Sequence, residues 1–294
     1  VRENDLIADL RARLTDPAGV RGIGDDACVW TPQGPTCLST DTVVEGRHFR
    51  ADDDPRVVGG KAIGAALSDL AAMGALPRGV VVALTCSSSW DATAVMDGVI
   101  DACATWGCPL LGGDTTAGPA LVITVTVWGE AAKGRFLYRD GGHPGDLLVV
   151  TGPLGGSLRS GRHLRPQPRL AEGAWLAGHP AVHAAMDISD GLAADVRRFA
   201  AASHCGALLL PKQIPVHDDV PVMSDTITAA MDDGEDYELL VAVAADQWPH
   251  VQLAWPFAGP LCCVGWLTDS GRIEAEDSQG RVAPLTHTGF EHTT

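Results

Sequence analysis

Short acidic clusters, each beside glycine or another small residue, recur from one end of the chain to the other. They read Gly24-Asp25-Asp26, Ser39-Thr40-Asp41-Thr42, Ser68-Asp69, Gly112-Gly113-Asp114, Asp187-Ile188-Ser189-Asp190-Gly191 and Gly234-Glu235-Asp236. Any one of them alone reads as a solvated loop carboxylate or a helix cap. The set reads differently, because Asp41, Asp114 and Asp187 are each expected at the end of an apolar strand. Ligand sites of layered α/β folds lie at strand ends. Carboxylates brought within a few ångströms repel one another and lose solvation, and divalent cations offset both costs. Hydroxyl and carboxylate oxygens together are the ligand set of a hard cation such as Mg²⁺. The expectation is a chain whose clusters converge on one site holding several Mg²⁺ ions and phosphate.

The apolar periodicity predicts alternating strands and helices. A short helix is expected over 4–14, capped by Asn4, and a long one from Pro55 to Gly74 with Ser68 and Asp69 in its last turns. A third helix spans 91–106 and a fourth runs from Gly191 to about Ala202. Strands are expected at 27–30, 36–40, 80–85, 109–111, 121–128, 147–151, 184–188, 207–210, 237–243 and 262–267. Glycine and proline crowd 131–146, which marks a domain boundary and divides the chain into 1–135 and 136–294. The order of elements is that of an α/β or α+β protein in two domains.

The formal charge of −16 over 294 residues argues against nucleic acid and anionic membrane surfaces as partners. No apolar run is long enough to cross a bilayer and no signal peptide is visible, so a cytoplasmic location is expected. None of the eight cysteines forms a C-x-x-C pair; they read as reduced, mostly buried thiols, with a zinc site from Cys103 and Cys108 as the lesser option. Arg159, Arg162, His163, Arg165 and Arg169 form the one local reversal of charge and read as a solvated face. Gly60-Lys61 resembles the tail of a P-loop, but Pro55 and Ala62 break the match; Gly22-x-Gly24-x-x-Ala27 precedes a strand and is no dinucleotide fingerprint. Arg139, on a glycine-rich loop, reads either as a surface charge or as a phosphate clamp, and His48, just after Asp41-Thr42, either as a core or surface histidine or as a substrate contact.

In order, Gly22-Ile-Gly-Asp-Asp26, Ser39-Thr-Asp-Thr42 with His48-Phe49, Leu67-Ser-Asp-Leu-Ala-Ala-Met-Gly-Ala75, Gly112-Gly-Asp-Thr-Thr116, Ile188-Ser-Asp-Gly-Leu192 and Gly234-Glu-Asp-Tyr-Glu-Leu239 resemble the motifs of bacterial thiamine-monophosphate kinases. The resemblance runs over nearly the whole chain. It implies a two-domain fold like that of aminoimidazole ribonucleotide synthetase: an N-terminal domain whose sheet forms a barrel in a homodimer, and a C-terminal α/β domain. It also implies transfer of the γ-phosphoryl group of ATP to thiamine monophosphate, giving thiamine diphosphate.

By motif position, the metal ligands are Asp26, Ser39, Thr40, Asp41, Asp69, Asp114, Asp187 and Asp190. Gly113, Asp114, Arg139 and Ser189 are the ATP contacts, and His48, Glu235 and Phe290 the substrate contacts. Asp41, Asp114, Asp187 and Arg139 carry the catalytic role. The chain departs from the family at Ala66, at Asp232-Asp233 before Gly234-Glu235, and at Gly289-Phe290-Glu291-His292, where Phe290 can stack on a flat ring but cannot donate a hydrogen bond. Among relatives of the same superfamily, a selenophosphate synthetase would show a reactive cysteine near the N-terminus, and a hydrogenase-maturation dehydratase a C-terminal one; neither is found. Aminoimidazole ribonucleotide synthetase lacks the settings of His48 and Glu235. A non-catalytic nucleotide or thiamine-phosphate binding protein would have had no need to keep every acidic motif.

Overall fold

A computed structural model describes residues 3–23, 27–221, 225–277 and 279–290. The chain divides into two compact units, 1–70 with 75–131 and 71–74 with 132–294. The first contains α1 (Glu3–Arg13), β1 (Thr36–Val44), most of α2 (Pro55–Ala72), β2 (Ala75–Cys86), α3 (Ala92–Thr105), β3 (Leu110–Ala117) and β4 (Val122–Ala131). Its strands lie in the order β1-β4-β2-β3, with β2 and β3 parallel and the other pairs antiparallel.

One face of this sheet is apolar along β4 and β2. Val43, Ile123, Val125, Val127, Val80, Val82 and Leu84 are buried there, with Ile63, Leu67 and Leu70 of α2 buried in the same unit. The other face is rich in threonine. Thr40 and Thr126 pair across β1 and β4 at 3.1 Å, Thr42 and Thr124 at 2.9 Å, and Leu38 is 68% exposed among them. Thr-Thr pairs stabilise antiparallel strands, and β-branched residues suit the pleat; on the same face Trp128 is buried beneath Trp30, ring centroids 4.8 Å apart.

The second unit is built on a seven-stranded sheet. Its strands are β5 (Leu147–Val150), β6 (Val182–Ile188), β7 (Gly206–Leu209), β8 (Glu238–Val243), β9 (Cys262–Thr268), β10 (Ile273–Glu276) and β11 (Val282–Pro284), in the order β11-β10-β7-β9-β5-β8-β6. Among the described strands of this sheet, only β7 and β10 pair in parallel. The helices are α4 (Ser157–Ser160), α5 (Leu170–Ala177), α6 (Leu192–Ala202), α7 (Thr226–Asp232) and α8 (Trp248–Ala254). The interior strand β8, flanked by β5 and β6, is buried along its whole length. One core cluster joins Leu148, Met186, Leu240 and Val264 to Val196 and Phe199 of α6; the other joins Val149, Val241 and Val243 to Leu176 of α5. An interior strand with helix-bearing cores on both faces reads as a continuous apolar run, which is what Leu239–Val243 is.

Two expected details of the first unit differ. The segment 27–30 forms no strand; Val29 makes only an isolated bridge to Arg21. The acidic residues at 41 and 114 lie inside their strands, not at the ends. The strand expected at 109–111 runs on through Gly112-Gly113 to Ala117. A Cβ on Gly113 would stand 2.0 Å from the carbonyl oxygen of Val82, so glycine is what lets β3 pair with β2 this closely.

Candidate active site

The two-residue period of β1 splits Ser39-Thr40-Asp41-Thr42 between the two faces of its sheet. Thr40 and Thr42 point to the open face, where their hydroxyls meet Thr126 and Thr124. Ser39 and Asp41 point to the face of Val43, and Ser39 Oγ donates to Asp69 Oδ2 of α2 at 2.5 Å. Ser39, Asp41 and Asp69 are all half-buried, and their oxygens are hard donors on one side of the sheet. Asp26 lies outside the described residues.

Asp114 is placed elsewhere. Its register partner is Ala83, which pairs with Thr124, which pairs with Thr42, so Asp114 belongs to the open face. Asp41 and Asp114 therefore leave the sheet in opposite directions. Asp114 lines a cleft of about 790 Å³ with Arg11, Gly112, Gly113, Thr115 and Thr124, a size suited to a small ligand. His48, half-buried after β1, accepts the backbone N–H of Val44 on Nδ1 at 3.0 Å. In the neutral ring this leaves the proton on Nε2, which makes that atom a donor.

In the second unit the expected residues are drawn together. Asp187 is buried as the next-to-last residue of β6, opposite Leu239. The Ser189 carbonyl accepts the N–H of Glu235 at 2.7 Å, and the Ile188 carbonyl accepts that of Tyr237 at 2.9 Å. This lays Gly234-Glu235-Asp236-Tyr237 along Ile188-Ser189-Asp190. The chain from 285 to 290 closes the group. Arg197 donates to the carbonyls of Leu285 and His287, Asp232 accepts the N–H of Gly289 at 2.9 Å, and the Asp190 carbonyl accepts that of Phe290 at 2.8 Å. Gly289 has a φ of +68°, and a Cβ there would stand 2.6 Å from that of Ala194, so the close turn onto α6 demands glycine. Arg139 is exposed, at the start of a 3₁₀ turn whose first carbonyl accepts the Ser203 hydroxyl at 2.6 Å.

The basic run is not a solvated face throughout. Arg162 bridges Asp219 and the buried Asp236 at 2.9 Å each, and also donates to the Gly155 carbonyl. Arg169 forks onto both oxygens of Glu238, whose side chain is 2% exposed and also accepts from Thr151 at 2.7 Å. Arg198 pairs with Asp190 and Asp195. Asp195 in turn accepts the N–H groups of Ser189 and Asp190, both at 3.0 Å, and so fixes the Ser189-Asp190 turn.

Asp195, Asp236 and Glu238 escaped the sequence reading as individual residues. A carboxylate heading the apolar run Leu239–Val243, or placed one turn into a helix behind Ser-Asp-Gly, is the available signal. Burial pushes the carboxyls of Asp195 and Asp236 up to about 6 each, against the opposing pull of their N–H and arginine partners.

No three of the expected carboxylates lie within 4.8 Å of one another among the described residues; His143, Asp146 and His183 do. All eight cysteines are free, and burial pushes the thiols of Cys103 and Cys108 up, which does not suit a zinc site there.

Residues 24–131 match the family of AIR synthase related proteins, N-terminal domain. The thiamine-monophosphate kinase of Rhodopirellula baltica is 37% identical, over 99% of this chain and 97% of its own. The chain belongs to the thiamine-monophosphate kinase family. A solved family member from Stenotrophomonas maltophilia superposes with a TM-score of 0.83 at 33% identity, covering 96% of this chain and 98% of the other. AaThiL complexed with AMPPCP and TMP superposes with a TM-score of 0.76 at 27% identity, covering 88% and 87%. The mixed α/β architecture expected of the family is the one observed. No helix among the described residues is long and apolar enough to cross a membrane.

Proposed function

We propose that the chain transfers the γ-phosphoryl group of ATP to thiamine monophosphate, giving thiamine diphosphate and ADP. Beyond family membership, one observation carries the assignment. Ser189, Asp190, Glu235 and Phe290, scattered over a hundred residues of sequence, are tied into one hydrogen-bonded group. Their chemistry suits the substrates. Phe290, 47% exposed, offers a face to a flat heteroaromatic ring. Glu235 offers negative charge to a cationic thiazolium.

The acceptor phosphate has a second pKa of about 6 and is mostly a dianion near neutral pH, so no general base is needed. The work of the residues is to position two anions against each other. His48 Nε2–H donates to the acceptor phosphate, and the exposed guanidinium of Arg139 clamps phosphate oxygens of ATP. Gly113 and Ser189 contribute backbone to the nucleotide.

The hydroxyl and carboxylate donors fit Mg²⁺. Ser39, Asp41 and Asp69 form one group on the inner side of the first sheet; Thr40, whose side chain faces the other side, and Asp26 are further ligands. Asp114 serves on the outer side, and Asp187 and Asp190 serve in the second unit. Bound Mg²⁺ supplies charge screening and a template for in-line transfer. Residues 1–135 act as the metal- and ATP-binding half and 136–294 as the C-terminal α/β half.

A homodimer forms through the open face of the four-stranded sheet, supported by the exposure of Leu38 at 68% and Leu76 at 39%. The setting is cytoplasmic. Incubation with ATP, Mg²⁺ and thiamine monophosphate should yield thiamine diphosphate and ADP in equal amounts. Release of inorganic phosphate with no thiamine diphosphate would overturn the assignment.

A further inference from the structure

In the second unit, two histidines and an aspartate given no role above point their donor atoms at one spot. His143-Pro144-Gly145-Asp146 is a tight turn with Pro at its second position and Gly145 at φ +95° in its third. The Asp146 N–H donates to the His143 carbonyl at 3.0 Å. Pro followed by a glycine of positive φ is the signature of a type II turn, which sets the first and fourth side chains next to each other. Asp146 Oδ2 also accepts the His143 N–H at 2.8 Å, which holds the carboxylate in place.

The third group arrives by a separate device. The pairing of β6 with β8 slips between Val182 and Ala184, leaving His183 as the extra residue of a bulge. Bulges re-aim a side chain, and this one brings His183 Nδ1 to 2.8 Å from Asp146 Oδ2 and 3.3 Å from His143 Nδ1. The third side of the triangle, from His143 Nδ1 to Asp146 Oδ2, is 3.6 Å.

We propose that His143, Asp146 and His183 form a binding site for a first-row divalent cation of the Zn²⁺ class. Those separations describe a triangle whose corners lie about 1.9 Å from a common centre. Zinc bonds to imidazole nitrogen and carboxylate oxygen are about 2.0–2.2 Å long, so an ion sits slightly above the plane, with the three atoms as one face of its coordination tetrahedron. The fourth position faces solvent, since the His143 side chain is 67% exposed. Two imidazoles select Zn²⁺, Co²⁺ or Ni²⁺ over Mg²⁺, which prefers oxygen. Without an ion, one ring N–H lies against the carboxylate and the other Nδ1 gains little from its position. With an ion, all three atoms are ligands. The ion ties the turn 143–146 to β6, the strand that carries Asp187.

Tag-free protein, stripped with chelator and titrated with Co²⁺ in excess Mg²⁺, tests this directly. The expected result is one Co²⁺ per chain with the intense visible absorption of a tetrahedral centre, displaced by stoichiometric Zn²⁺. His143→Ala and His183→Ala should each bind at least tenfold more weakly. In the unmutated protein, ring-proton resonances of two histidines should be shifted by the bound Co²⁺, a readout that does not depend on a variant folding. Absence of binding, competition by Mg²⁺, unchanged affinity in both folded variants, or shifted resonances from other histidines would overturn the proposal.

Discussion

Glu235, held at a φ of +61°, donates its backbone N–H to the carbonyl of Ser189 at 2.7 Å. A left-handed conformation costs a residue with a side chain about 1 kcal/mol or more, and persists where its surroundings over-determine it. The bond to Ser189 and the packing of Gly234 against Ser189-Asp190 do so here. Glu235→Gly should therefore stabilise the fold by about 1 kcal/mol and lower kcat/KM for thiamine monophosphate at least tenfold. Thermal melts alongside steady-state kinetics check both. Loss of stability together with activity would mark Glu235 as structural only.

Asp41 shares the inner face of its sheet with Ser39, which is bonded to Asp69. Asp41→Asn should abolish turnover and leave the melting temperature of the ligand-free protein nearly unchanged. Mg²⁺ with ATP should raise the melting temperature of the wild type, by about 2.7 kcal/mol of linkage at a hundredfold excess over Kd. Chelator should reverse the shift, and the variant should show much less of it. An Asp41→Asn protein with near-normal turnover would remove Asp41 from the mechanism.

Arg169 and Glu238 should be costly to separate. Arg169→Ala leaves a nearly inaccessible carboxylate without its fork, at a cost of about 3 kcal/mol. The paired change Arg169→Met with Glu238→Gln should recover most of that loss, because no lone charge is then buried. Denaturant unfolding of the wild type, Arg169→Met, Glu238→Gln and the double variant gives the coupling, and additive losses would contradict it.

The carboxyl of Asp236 carries a pH signature. Its pKa stands raised from 3.8 to about 6, so folding takes up protons between those values. Its stabilising contribution is complete below the lower value and is lost as pH rises through the upper. Asp236→Asn has no such loss. Relative to wild type, the variant should gain stability as pH goes from 4 to 7, measured as the difference in melting temperature. A constant difference across that range would show that the site does not titrate.

The second unit's candidate residues were legible because each lies in a local motif whose backbone bonds to another such motif: Ser189 to Glu235, Asp190 to Phe290. The first unit was less so. Gly112-Gly113 punctuates most sequences, and only the neighbouring strand shows that here it extends β3. Ser39 through Thr42 looked like one ligand segment, but strand alternation sends its members to both faces. Arg162 and Arg169 looked solvated because their partners, Asp236 and Glu238, stand some seventy residues later in an apolar stretch. Long-range charge pairing leaves no local trace, whereas turn chemistry and side-chain period do.

The clearance above Val82 decides how substitutions along β3 can be interpreted. Any side chain at position 113 must push the main chain aside before it can touch a nucleotide, so intolerance there reports strand spacing. Position 112 has room, since an added methyl would meet only Val81 Cγ1 at 3.6 Å. An alanine at 112 that spares folding and weakens ATP is thus a readout of ligand contact, and the neighbouring glycine is its steric control.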